Sequence, residues 1–200
     1  MTRARTLALL LTLAVCTASR AFAATWEIDP AHTTIQFSVR HMMVSNVRGQ
    51  FGKFSGHVDG DETKPTEARI EATIQTASID TANEKRDEHL RSPDFLDAAK
   101  FPTITYTSRK IEKTGEGKWK VTGDLTLHGV TKEVVLDLSD VTPPIKDPMG
   151  NMRAGAEART TINRQDFGIT FNKTLDGGGV MVGNEITITI DVEVTRKAGA

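Results

Sequence analysis

Ile186-Thr187-Ile188-Thr189-Ile190-Asp191-Val192-Glu193-Val194, residues 186–194, is the stretch whose reading decides the fold. Five β-branched apolar residues alternate with polar ones without a break. A period of two puts every apolar side chain on one face of an extended chain and every hydroxyl or carboxylate on the other. A helix would scatter the same residues around its axis. The stretch therefore reads as a long strand with one buried and one wet face.

The same alternation recurs upstream. Ile35, Phe37 and Val39 interleave with Thr34, Gln36 and Ser38, and Ile70, Ala72 and Ile74 interleave with Arg69, Glu71 and Thr73. Further strands are predicted over Phe54–Asp59, Ile104–Ile111, Trp119–Leu127, Glu133–Val141 and Ala154–Asn163, eight in all. Two stretches break the pattern. His41–Phe51 is apolar without alternation and reads as a short helix or turn. Asp80–Lys100 is helix-prone, with Asp80 or Thr81 as cap and Ser92-Pro93 restarting the chain; it is placed to close one end of a barrel. His128-Gly129 and Gly177-Gly178-Gly179 read as turns, Pro143–Gly150 as a hairpin loop, and Phe167-Gly168 as a bulge or close backbone approach.

The N-terminus has the zones of an export signal: Arg3 and Arg5, an apolar run from Leu7 to Val15, then Ala21-Phe22-Ala23. Cleavage is expected after Ala23, leaving a domain over 24–200 and a periplasmic or secreted product. The run falls short of the roughly 20 apolar residues of a membrane span, and no later stretch approaches that length. Cys16 is the only cysteine and leaves with the signal, so disulfides and thiolate chemistry are excluded from the processed chain. Loss of three arginines takes the net charge from −1 to −4, which argues against a nucleic-acid partner.

Eight antiparallel strands with a helical insert fit a sandwich or an up-and-down barrel, whose interior is either packed or a ligand cavity. An outer-membrane barrel needs a lipid-facing outer surface. The outward positions here carry Gln, Thr, Lys, Glu and Asp, so that option fails.

Several motifs are then recognisable in order. Asp29-Pro30-x-His32-Thr33 leads to Phe37-x-Val39-x-His41 and Val47-x-Gly49-x-Phe51-x-x-Phe54-x-Gly56. Ile79-Asp80-Thr81, Arg86-Asp87-x-His89-Leu90-x-Ser92-x-Asp94-Phe95 and Phe101-Pro102 follow. Gly123-Asp124-Leu125-Thr126-Leu127-His128-Gly129-Val130-Thr131, Arg164-x-Asp166-Phe167-Gly168 and Val182-Gly183-x-Glu185-Ile186 complete the series. Together they resemble the YceI-like polyisoprenoid-binding family, with Leu96 standing where that family commonly has a second Phe. The resemblance implies an eight-stranded, lipocalin-like antiparallel barrel that encloses a polyisoprenoid or similar long-chain lipid, for example a quinone tail.

On those blocks the expected apolar ligand contacts are Phe37, Val39, Met42, Met43, Val44, Phe51, Ile79, Leu90, Phe95, Phe101, Phe167, Ile169 and Phe171. Arg86, His89 and Tyr106 are the polar candidates near a head group. No catalytic residue, metal or further cofactor is assigned. The five histidines lack the close i, i+2 or i, i+4 spacing of paired metal ligands, and no G-x-S-x-G occurs. The partner expected is an apolar lipid, and a homodimer is left open. The competing readings are an enzyme acting on such a lipid through His89 and Asp87, and a solid-core interaction protein.

Overall fold

The computed structural model describes residues 24–197, so the leader predicted over 1–23 lies outside the described residues. The strands are β1 (Ala24–Ile28), β2 (Thr34–His41), β3 (Ser45–Phe51), β4 (Phe54–Gly60), β5 (Arg69–Gln75), β6 (Ile79–Asp80), β7 (Thr103–Gly115), β8 (Lys118–Leu127), β9 (Val130–Ser139), β10 (Ile145–Lys146), β11 (Met152–Asn163) and β12 (Val182–Arg196). One helix, α1 (Glu84–Arg91), lies between β6 and β7.

Eight strands close into an antiparallel ring in the order β11-β9-β8-β7-β5-β4-β1-β12, with β12 returning to β11. That closing ladder is the longest in the molecule, running from Met152 opposite Arg196 to Asn163 opposite Glu185. Beyond the ring, β2, β3 and β6 branch from β12 at one end, and β10 pairs with β11 at the other. β12 holds both branches because Val194 and Thr195 pair with β1, whereas Val182–Asp191 pairs with β2.

All eight expected strands form, but the eight that close the ring are a slightly different set. The short segment β1 takes the ring position, and β2 continues along the same edge of β12 after the turn at Asp29–His32. His41–Phe51 is neither helix nor simple turn: His41 ends β2, Met42–Val44 make the turn, and Ser45–Phe51 is strand β3. Alternation is hidden there because Gly49 occupies an inward position between Val47 and Phe51. A Cβ at Gly49 would lie 2.5 Å from Cζ of Phe37 and 2.7 Å from Cγ2 of Thr81. The ring of Phe37 thus takes the space of the missing side chain, and the two strands close on each other.

The cap of α1 is Asn83, not Asp80 or Thr81: its side chain accepts from the backbone N–H of Arg86. Asp80 instead accepts from the N–H of Ala82, and Thr81 is engaged with Asp87. Phe167-Gly168 is not a bulge. It ends a 3₁₀ turn over Arg164–Phe167, with Gly168 at φ 77. The turns at His128-Gly129 and at Gly177–Gly179 form as expected, the latter closed by the N–H of Leu175 on the carbonyl of Gly179.

The β11–β12 connection is organised by Arg164, which is 3% exposed. Its guanidinium donates to the carbonyls of Gly183 (2.9 Å) and Ile169 (2.7 Å) and to Oδ1 of Asn184 (3.3 Å). A buried cation is tolerated only when its donors are satisfied, and here backbone acceptors do so.

Overpacking a filled site costs roughly 1–3 kcal/mol. Gly49→Ala is therefore expected to lower the urea unfolding free energy by about that much. Combining it with Phe37→Leu should recover part of the loss, a non-additivity that two independent sites would not give.

Candidate functional site

The inner faces of the ring and of β2, β3 and β6 surround a cavity of about 390 Å³, within the usual range for small-molecule sites. Its lining is almost wholly apolar. From β12 it takes Ile186, Ile188, Ile190, Val192 and Val194, the apolar face of the alternating stretch. Ile186 to Val194 spans about 26 Å at ~3.3 Å per residue, so the space is elongated along the strands. Beside this row on the same wall, β11 contributes Ala154, Ala156 and Ala158. Small side chains there leave room that Val or Ile would fill. Ile70, Ala72 and Ile74 of β5 and Val121, Leu125 and Leu127 of β8 complete much of the wall.

One end is capped from within by the α1 segment. Leu90, at the end of the helix, and Phe95 and Leu96, just after it, reach the cavity beside Ile79 and Phe51. The polar groups of the segment hold it in place. Asp87, 5% exposed, accepts from the N–H (2.9 Å) and hydroxyl (2.5 Å) of Thr81. Nε of Arg86 donates to the Thr81 hydroxyl and Nη2 to the Thr81 carbonyl, both at 2.7 Å. Arg91 donates to the carbonyls of Ala77 and Ile79. Nε2 of His89 lies 2.8 Å from Oδ2 of Asp94, and its ring packs edge-on against Phe95 and Phe171. Arg86 and Asp87 therefore both fasten Thr81, while His89 pairs with Asp94 apart from them.

Of the residues expected to meet a ligand, Phe37, Val39, Phe51, Ile79, Leu90, Phe95, Tyr106 and Ile169 line the cavity. Tyr106 does so with its ring. Its hydroxyl is turned into the wall, donating to the carbonyl of Val121 at 2.9 Å over the bare backbone of Gly123. Burial pushes the pKa of that phenol up. Met42, Met43 and Val44 lie away from the cavity, because the β2–β3 turn projects them into solvent. Arg86 and His89 sit behind the cap. Phe171 backs Phe95, ring centroids 4.9 Å apart. Phe101 packs under the β8–β9 turn, 4.6 Å from the ring of His128. Phe167 is carried out of line by the 3₁₀ turn and buried against β9 and β12.

The alanine row of β11 and much of β8 and β9 were not singled out from the sequence. Their signal was the phase of the alternation, which marks an inward face whether or not a motif lies on it.

Asp29, His32 and Glu193 also converge, at the end of the barrel away from α1. The cation among them is the guanidinium of Arg153. It donates to Asp29 at 2.9 Å, to Asp147 at 2.8 Å and to Glu193. Nδ1 of His32 lies 2.8 Å from Asp29. Because Ala154 points inward, Arg153 points outward, and the network ties the β1–β2 turn, β12 and the β9–β11 connection together outside the cavity.

A closed antiparallel barrel with an apolar, elongated interior defines a protein capable of enclosing an apolar ligand. The chain belongs to the YceI-like family: the YceI-like domain model matches residues 26–194. A UPF0312 protein of Staphylococcus aureus is 38% identical over 169 residues, 84% of this chain and 95% of the relative. The crystal structure of a Campylobacter jejuni YCEI protein is 35% identical with a TM-score of 0.66, covering 78% of this chain and 89% of that one. A polyisoprenoid binding domain from Saccharophagus degradans, implicated in plant cell wall breakdown, shares the fold at a TM-score of 0.63 and 14% identity, covering 87% and 99%.

The Arg153 network has a consequence for acid stability. Hydrogen bonds from His32 and Arg153 hold the Asp29 carboxyl at about 2, against an ordinary value of 3.8, and Arg153 does the same for Asp147. Carboxyls lowered in the folded state contribute stability that is complete above the unfolded value and lost as pH falls through the folded one. Melting temperature should therefore fall between about pH 4 and pH 2. Arg153→Met should be less stable at neutral pH but show a shallower decline across that window.

Proposed function

We propose that this chain is an exported binding protein that carries or stores a polyisoprenoid or similar long-chain lipid inside its barrel. The observation that carries the reading is the continuous apolar interior between the wall built by the alanine row of β11 with the adjacent isoleucine–valine row of β12 and the wall of β5 and β7 across the ring. Large-to-small substitutions in cores cost about 24 cal/mol per Å³ of cavity left behind. At that rate a dry space of 390 Å³ forgoes on the order of 10 kcal/mol, comparable to the whole stability of a domain. Water is a poor filler, since a buried water needs two to four polar partners and the lining offers few. A chain of methyl-branched units suits the space, at about 0.8 kcal/mol for each CH₂ it buries.

The shape of the interior favours a long tail over a compact ligand. The polyisoprenoid named for the Saccharophagus degradans domain is a molecule of that kind. Such a lipid is scarcely soluble in water, and a barrel that surrounds it along its length answers that requirement. The leader over 1–23 points to periplasmic delivery, where a lipid must cross water between membranes. The reading assigns no chemical step to the protein: binding and release suffice.

Native mass spectrometry of protein taken from the periplasm of its own host tests the reading. The expected species begins at Ala24 and carries an apolar mass that organic extraction releases. Ala156→Phe, which fills the middle of the tunnel, should lose that mass while keeping a cooperative melt. A wild-type protein that carries no extractable lipid would overturn the proposal.

A further inference from the structure

The β2–β3 turn places three consecutive apolar side chains in solvent. Met42 is 42%, Met43 55% and Val44 76% exposed, and they stand at the α1-capped end of the barrel, next to where β2 pairs with Val182. The turn is tight, with the N–H of Val44 bonded to the carbonyl of His41. Met42 and Met43 have φ of 48° and 61°. That conformation favours Asn-Gly at a two-residue hairpin and is strained for large side chains. Nothing inside the barrel needs methionine here, because neither side chain reaches the cavity. The turn is braced in this form by Nη2 of Arg40, which donates to the carbonyl of Met43 at 2.8 Å.

The hairpin's own charges have one sign, with the exposed Glu185 on the irregular stretch of β12 beside Arg40 as an acidic neighbour. Between Asp29 and Asp59 the sequence contains no acidic residue, while Arg40, Arg48 and Lys53 all fall there. Arg40 and Arg48 lie on the two strands of the hairpin and are exposed. In the loop beside the tip, Lys173 offsets Asp176.

We propose that Met42-Met43-Val44 is a membrane-docking tip that seats the α1-capped end of the barrel on an anionic lipid bilayer. A protruding apolar point with a cationic collar fits a bilayer interface, where apolar side chains enter below head groups and cations meet phosphates. A protein partner of ordinary affinity needs a broader complementary face, about 800 Å² on each side. This inference rests on the reading that the cargo is an apolar lipid, whose donor and acceptor are then bilayers. Docking by the tip lets cargo exchange without exposure to water.

Loss of Cys16 with the leader leaves the processed chain free of thiols, so Val44→Cys and Met149→Cys each accept a single bimane label. Met149 is 77% exposed in the β9–β11 connection, at the opposite end of the barrel. With vesicles of phosphatidylcholine and phosphatidylglycerol, the label at Val44 should shift to the blue and be shielded from an aqueous quencher, and the label at Met149 should do neither. High salt, or phosphatidylcholine alone, should weaken the shift. The triple variant Met42→Ser, Met43→Ser, Val44→Ser should co-sediment with these vesicles at least about tenfold less than wild type, with an unchanged melting temperature. No shift at Val44, an equal shift at both positions, or undiminished sedimentation of the triple variant overturns the proposal. Extraction of the same samples separates the two readings. Bound lipid without docking removes only the tip's role, and docking by a protein that carries no lipid removes only the carrier.

Discussion

The ladder between β11 and β12 is the constraint on which the rest depends. It runs the whole length of β11 and turns a row of sheet into a ring, so that no ring strand is left with an open edge along that seam. Closure fixes which face is inside. Once Ile188 is inward, every second residue on β12 must be inward too, and the register carries that choice to Ala154, Ala156 and Ala158 across the seam. A ring of eight strands has room for side chains to meet in the middle or to leave a lumen, and residue size decides which. A row of alanines beside the isoleucines and valines leaves the lumen.

The polar groups of the molecule maintain this arrangement from its two ends and from outside the cavity. Arg164 gathers backbone carbonyls where β11 gives way to β12, while Arg153 gathers carboxylates at the far end. Asp87, Arg86 and Arg91 fasten the cap. These charges hold a shape and leave the lumen apolar. The family likeness and the geometry thus point the same way, toward retention of an apolar molecule.

Much of this was legible in the sequence, for a physical reason. Strand alternation is a local property, and the stretches around Ile35, Ile70, Ile104 and Ile188 carry it openly. Where a non-local contact replaced a side chain, legibility failed. Gly49 breaks the alternation of β3 only because Phe37, on another strand, occupies its place. β1 is five residues long and joins the ring through partners at both ends of the chain, which no local pattern announces. The cavity candidates divided in the same way. Apolar candidates on strands or on the cap, such as Phe37, Phe51 and Leu90, reach the interior, whereas Arg86 and His89 on the same cap do not. Of the apolar candidates in connections, Met42, Met43, Val44, Phe101, Phe167 and Phe171 do not, whereas Ile169 does. Apolar character marks a residue that avoids water, but the backbone bend at Met42 and Met43 decides where it points.

The central claim is that the interior is a lumen for an elongated apolar molecule. A crystal structure of the protein purified from its own host addresses it most directly. The account predicts continuous, rod-like electron density running along the wall of Ala154–Ala158 and Ile186–Val194, facing Ile70–Ile74 and Tyr106 across the ring, and ending against Phe95 and Leu90. Density for side chains meeting across the axis, or only separate water peaks along it, would contradict it.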